Sequence, residues 1–276
     1  MPAPNKNILT KQAQTNFFSK RIQVPTEWAG AEDQFNDAFA ENEKSVLPNS
    51  PTNLFREPTL NKYHVDSAKE IGELFAAYIE GICSAICDGI DKWMKMASIA
   101  AVSINGPIGM LLPGCVIGPL LKPLIISTAP TKTDQEKKYS NAIANTISTS
   151  WQTWHMGLTG VLNYPAFIAF PGPVAPPMPN VPMPIIAFSS PGETALSPAN
   201  MKLMMKTNLA DPTALHSDDL FDAISKAFFT IFQIFKTSTL IQNVLGTGPI
   251  PTFAPPFVPV GPVVSGTVLP CPGVFV

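Results

Sequence analysis

Apolar side chains recur every three or four residues along three stretches of the chain. Ile71, Leu74, Phe75, Tyr78, Ile79, Ile82, Ile86, Ile90 and Trp93 form one such stripe, the spacing of a helix with a single buried face. Asp66 or Ser67 can cap its start, with Glu70 completing a capping box. The stripe runs on through Met94, Ile99 and Val102, and the helix must stop by Pro107. A second helix is expected from Asp134 to Leu162, with Ile143, Ile147, Trp151, Trp154, Leu158 and Leu162 inward. It is rich in Ser, Thr and Asn, weak helix formers. A third begins at Ser217-Asp218-Asp219, carries Leu220, Phe221, Ile224, Phe228, Ile231, Phe232 and Phe235, and reaches Ile241 and Val244 before Gly246 ends it. Ahead of it, Ser197-Pro198 opens a short helix whose Met201, Leu203, Met204 and Met205 read as adaptable core filler.

Each long stripe is followed by an uncharged, apolar segment full of Pro: Asn105 to Pro119, Asn163 to Pro184, and Thr247 to Pro262. The three units align. A shift of 58 residues puts Trp93 on Trp151, Pro107 on Pro165 and Val116 on Val174; a shift of 142 puts Trp93 on Phe235, Ile99 on Ile241, Val102 on Val244 and Pro107 on Pro249. Self-similarity of this kind is read before local propensity. The expected fold is mainly α with Pro-rich extended limbs, in three degenerate helix-plus-limb repeats. Residues 1–65 are a polar N-terminal arm, 66–130 the first unit, 131–196 the second, and 197–276 a short helix with the third. Pro cannot donate to a central ladder, so the limbs are expected to be edge strands or polyproline segments. The arm spaces Phe17, Phe18, Trp28, Phe35, Phe39 and Phe55 among polar residues; it reads either as a flexible tail or, with a short helix opening at Pro25-Thr26, as an arm whose aromatics anchor it to a neighbouring chain.

Charge sharpens this picture. Charged residues are 14% of the chain and Pro numbers 30 of 276, against about 25% charged and about 5% Pro in ordinary domains. Ala97 to Leu121 and Thr237 to Val276 carry no charged side chain, and Tyr139 to Met201 carries only Glu193. Long uncharged apolar loops point to burial against other chains or lipid. A net charge of −2 leaves no electrostatic footprint for nucleic acid. The N-terminal residues lack the apolar core of a signal peptide, and no run of apolar residues is long enough for a simple span. Four Cys, at 83, 87, 115 and 271, are too sparse for a disulfide framework and read as reduced thiols.

No catalytic pattern accompanies these features. Cys83 and Cys87 share one helical turn, but His64, His155 and His216 are scattered, so inert buried thiols are expected rather than zinc. Ser217 beside His216 reads as a helix cap, and Gly157 to Gly160 lacks the rest of a phosphate loop. Trp151, Trp154, Phe167 and Phe170 have no Lys or Arg near them in sequence, as base stacking would need. No catalytic residue, metal or cofactor is assigned. The residues expected to matter do so by packing or at an interface: Trp93, Trp151 and Phe235 on the helices, Pro107, Pro165 and Pro249 at the breaks, and Phe167 and Phe170 in the longest limb.

The segment from Phe170 to Pro184 resembles, in composition, the Pro-rich segments of PAAR-like tip proteins and other structural proteins of contractile injection systems and phage tails. The resemblance implies a structural part of such a particle; the metal-binding His and Cys pattern of the PAAR proteins is absent, and no residue role carries over. The expected function is a non-enzymatic structural or plug-like component of a large assembly. Its expected partners are other subunits, copies of itself included, with synthesis in the bacterial cytoplasm before assembly. The rival expectation is a membrane-active effector that inserts its amphipathic helices. Against it, the first helix carries Glu70, Glu73, Glu80 and Asp88, where a lipid-surface helix carries Lys and Arg.

Overall fold

The computed structural model describes residues 4–20, 62–168, 172–214, 216–252 and 262–276. The proposed helix after Pro25, with Trp28, Phe35 and Phe39, lies outside the described residues, as do Phe55 and Phe170. The fold is mainly helical, with several small sheets.

Three long helices carry the three stripes: α2 (Lys62–Met96), α4 (Asp134–Met156) and α6 (Ser217–Ser238). They run parallel. Tyr78 meets Tyr139 and Tyr139 meets Phe221 towards their N-terminal ends, while Trp93 meets Trp151 and Trp151 meets Phe235 near their C-terminal ends. Thr133 opens α4 through a full capping box with Glu136, which satisfies two otherwise orphaned backbone donors.

Three shorter helices occupy the three grooves between the long ones. Helix α1 (Lys6–Phe18) lies between α2 and α6, α3 (Leu121–Ile126) between α2 and α4, and α5 (Pro198–Leu209) between α4 and α6. Gly89 makes the second of these contacts possible, since a Cβ there would sit 2.8 Å from the Ile125 side chain. Helix α1 falls inside the stretch expected to be a polar arm, yet Leu9, Ala13 and Phe17 are fully buried.

All three long helices end earlier than their stripes predict. Ile99 and Val102 follow α2, Leu158 and Leu162 follow α4, and Ile241 and Val244 follow α6; all are buried, but on extended or turn backbone. Gly246 does not cap α6, which ends at Ser238; it sits in a strand. The apolar residues beyond each helix still face the core because short strands continue the chain inward, and helical spacing alone cannot separate the two cases.

Those strands close a ring. One sheet has the order β2 (Ser103–Asn105), β3 (Ile108–Leu111), β5 (Gly160–Asn163); another has β6 (Val174–Pro179), β9 (Leu245–Pro249), β10 (Thr267–Leu269). Every pairing is antiparallel. Ile104 and Gly266 exchange two backbone hydrogen bonds and join β2 to the chain just before β10. On the other side Val181 N–H donates to the Asn163 carbonyl. Nearer the helices a second tier repeats the pattern. There β1 (Ser98–Ile99) pairs with β4 (Val116–Ile117), and β7 (Met183–Pro184) with β8 (Leu240–Ile241). The C-terminal residues bridge the two, Pro272 against Ser98 and Phe275 against Ile241.

Among the described residues, parts of the Pro-rich segments pair as short sheet strands. Pro176, Pro177 and Pro179 lie in β6, whose register with β9 shifts between Ala175 and Met178; a bulge is where a strand tolerates missing donors. Ile250 in the last Pro-rich segment is buried, as are Val263, Val268, Val274 and Phe275 in the chain after it. Inside the ring Gly246 makes room for Tyr164, whose ring would lie 2.6 Å from an added Cβ.

Candidate functional site

Where the helices hand over to the ring, the aromatic residues marked by the sequence come together. Trp93 and Trp151 pack edge to face with centroids 5.3 Å apart, and Trp151 and Phe235 are also 5.3 Å apart. Trp154, Phe232 and Phe275 complete the cluster. Every one of these rings is buried. His155, in the last turn of α4, lies 5.2 Å from Trp93 and is 5% exposed. It hydrogen-bonds the Val116 backbone, while its Nδ1 has no partner among the described residues. Burial pulls its pKa down to about 4, so the imidazole is neutral at pH 7.

The other marked residues take related places. Pro107 lies between β2 and β3, Pro165 follows β5, and Pro249 ends β9. Phe167 is buried and packs on Tyr164 at 5.4 Å. Phe167 is thus part of the interior, whereas Pro107, Pro165 and Pro249 are exposed at the turns and strand ends of the ring.

The candidate chemistry is packing too. Burial first, then Cys87, raises the Cys83 thiol pKa; burial first, then Asp88, pushes Cys87 up to about 12. Both stay protonated thiols. Among the described residues no group of three or more His, Cys, Asp or Glu is placed to hold a metal ion. Ser217 is the first helical residue of α6 rather than its cap; His216 takes that position with a left-handed backbone and makes no side-chain cap bond.

What remains open to a partner is the outer surface of the ring. Ile108 and Met110 on β3, Val174 on β6 with Val181 beyond it, and Leu269 on β10 with Val264 before it are 44–54% exposed. No charged side chain lies near them in sequence. Glu193, alone in its long uncharged stretch, is held by Lys236 through both carboxylate oxygens and by Gln233. The charges gather instead at the far ends of the helices, where Lys202 and Lys206 reach Asp218 and Lys20 and Lys226 reach Asp222. The strands of the ring carry no charged side chain, while the ion pairs lie on and beside the helices. Alternation along single strands could have located the outer face in the sequence; ring closure, which removes the edges, left no local signal.

No protein-family model, curated protein or solved structure matches this chain.

Proposed function

We propose that this chain is a non-enzymatic structural component of a larger protein assembly, docking its uncharged strand ring onto a partner with threefold symmetry. A contractile injection system or phage-tail-like particle is the kind of assembly meant. The observation that supports the reading is the succession around the ring of three long helices, each followed by short strands. Each long helix has a short helix in an adjoining groove and sends two strand stretches into the ring. In ring order these are β2 and β3, then β5 and β6, then β9 and β10. The spacing of the first and third units agrees with the shift of 142, whereas the first and second long helices end 60 residues apart against a shift of 58. Helices α2 and α6 end 142 residues apart, as do β1 and β8, and Ala101 and Asn243, also 142 apart, both take left-handed backbone (φ 55° and 60°). Non-Gly residues rarely adopt that conformation, so its recurrence at matched positions supports a duplicated unit. Exposed aliphatic residues lie on the second strand stretch of each unit, with Val161 on β5 as well. Three such apolar rows suit a partner that presents the same surface three times, and contiguous exposed apolar surface of this kind marks an interface.

The rival membrane reading needs helix faces free for lipid. Here Phe228 and Phe232 are 1% exposed and face the other helices, and no helix among the described residues is long and apolar enough to cross a membrane.

The test is stoichiometric. Complexes purified through a tag on this chain, from cells that make it, are expected by native mass spectrometry to hold one copy per three copies of the main partner. A stable one-to-one complex would overturn the reading. The triple variant Ile108→Glu, Val174→Glu, Leu269→Glu is expected to drop out of the complex. Its melting temperature should stay close to the parent's, since exposed substitutions cost roughly 0.5 kcal/mol or less each.

A further inference from the structure

The three short helices are not tethered alike. Seven residues join α3 to α4 and seven join α5 to α6, whereas 43 residues separate the end of α1 from the start of α2. Geometry does not require that length. Helix α1 runs antiparallel to α2: Thr10 hydrogen-bonds Cys83, Gln14 reaches the Ala76 carbonyl, and Phe17 stacks on Phe75. Its C-terminal end thus lies roughly 15 Å from the first residue of α2, at 1.5 Å per helical residue. Seven residues would bridge that gap, as they do twice elsewhere in the chain.

The seat of α1 lies chiefly against α6. Three side chains are fully buried there, Leu9, Ala13 and Phe17. Amide and ammonium contacts supply most of the rest: Gln12 to Thr230, Asn16 to the Ala223 carbonyl, and Lys20 to Asp222. A 13-residue helix is marginal by itself in water, where about 12–15 residues are needed, so it forms when seated. The groove is complementary to this helix, and every further copy of the chain brings the same one.

We propose that the groove between α2 and α6 is a docking site for α1 of a neighbouring copy, so that copies are linked by exchange of their first helix. The contacts made are the same within one chain or between two, and exchange of an identical element is a low-cost route to association. A connection of this length can span at most about 150 Å, enough to reach an adjacent subunit. The proposal rests on the proposed structural role in an assembly and on the expectation from the sequence that its partners include copies of itself.

Two differently tagged chains test it, both carrying Cys87→Ala, Cys115→Ala and Cys271→Ala. One also carries Thr10→Cys and Cys83→Ala; the other keeps Cys83. A disulfide between the tags then forms only if α1 of the first chain seats on the second. After co-refolding at high concentration and mild oxidation, a cross-linked heterodimer is expected. Deleting residues 28–52 still leaves more connection than the other two helices use. That deletion should lower the heterodimer about ten-fold or more, as reach falls, while a single chain bearing both cysteines still closes on itself. Gln12→Cys with Thr230→Cys, in an all-Ala background, repeats the assay on α6 should the first pair disturb folding. Closure within one chain only, at every concentration and with both pairs, overturns the exchange. If the parent protein nevertheless self-associates by light scattering, the assembly reading survives that result; if it also stays monomeric, the reading of self-copies falls with it.

Discussion

Replacing Trp151 by Ala is expected to destabilise the protein by about 4 kcal/mol, near the middle of the 3–5 kcal/mol range for buried Trp and Phe truncations. Trp151 is 1% exposed and touches Trp93 of α2, Trp154 of its own helix, and Phe232 and Phe235 of α6. It joins the three long helices near their C-terminal ends, so the cavity opens where all of them would have to move to close it. A loss of that size is a large share of the roughly 5–15 kcal/mol that holds a domain together. In a chain of this length the melting temperature should fall by about 10 °C, at 2–4 °C per kcal/mol. Trp151→Phe provides the control. The indole Nε1 of Trp151 has no hydrogen-bond partner among the described residues, so Phe keeps most of the apolar contact and removes a buried unpaired donor, which costs about 1–3 kcal/mol when left unmet. The expected order in urea titrations is wild type close to Trp151→Phe, with Trp151→Ala far below. Equal losses for Phe and Ala would mean that the ring's hydrogen bonding, not its packing, matters; a loss under about 1 kcal/mol for Ala would mean that the joint is not a single packed core.

Much of this joint is legible in the sequence. The stripes locate α2, α4 and α6 because each buries one face along its length, and a 3.6-residue period survives wherever that holds. Trp93, Trp151 and Phe235 stand out because the units align, and alignment does not depend on knowing the fold. The misreadings fall where one physical signal serves two structures. Ile99, Val102, Ile241 and Val244 continue the helical spacing, but the chain has already left the helix; burial on a two-residue strand imposes no period of its own. Gly246 resembles a helix stop, yet its place is beside Tyr164, where any side chain would collide. Helix α1 is hidden for the opposite reason. Among 13 residues it buries three on one face and fills the others with Gln, Asn, Lys and Thr, and a pattern so thin reads as an arm. The ring depends on pairings between residues more than 50 apart, such as Ile108 with Asn163, Val174 with Pro249 and Ile104 with Gly266, and nothing local encodes those.

Acid should loosen the same joint, through His155. Its neutral ring is buried against Trp93 with one nitrogen bonded to the Val116 backbone, and its pKa is depressed to about 4 by burial from the ordinary 6.5. Between those two values the unfolded chain binds a proton at this site that the folded chain does not, so folding is favoured as pH rises through the window. The contribution is complete above pH 6.5, declines as pH falls towards 4, and changes little below that. A displacement of this size corresponds to about 3 kcal/mol, at 1.36 kcal/mol per unit, most of it lost by pH 4.5. Other groups also titrate: His216 is lowered by burial, and Asp218 is lowered by hydrogen bonds from Lys202 and then Lys206. They are common to wild type and to His155→Gln, which keeps a donor for Val116 but has no proton to gain. The expected result is a difference of slopes. Between pH 7.5 and pH 4.5 the wild type should lose about 2–3 kcal/mol more unfolding free energy than His155→Gln, measured by urea titration at each pH. Parallel pH profiles for the two proteins would remove His155 from the account, and a wild type that gains stability on acidification would reverse its sign.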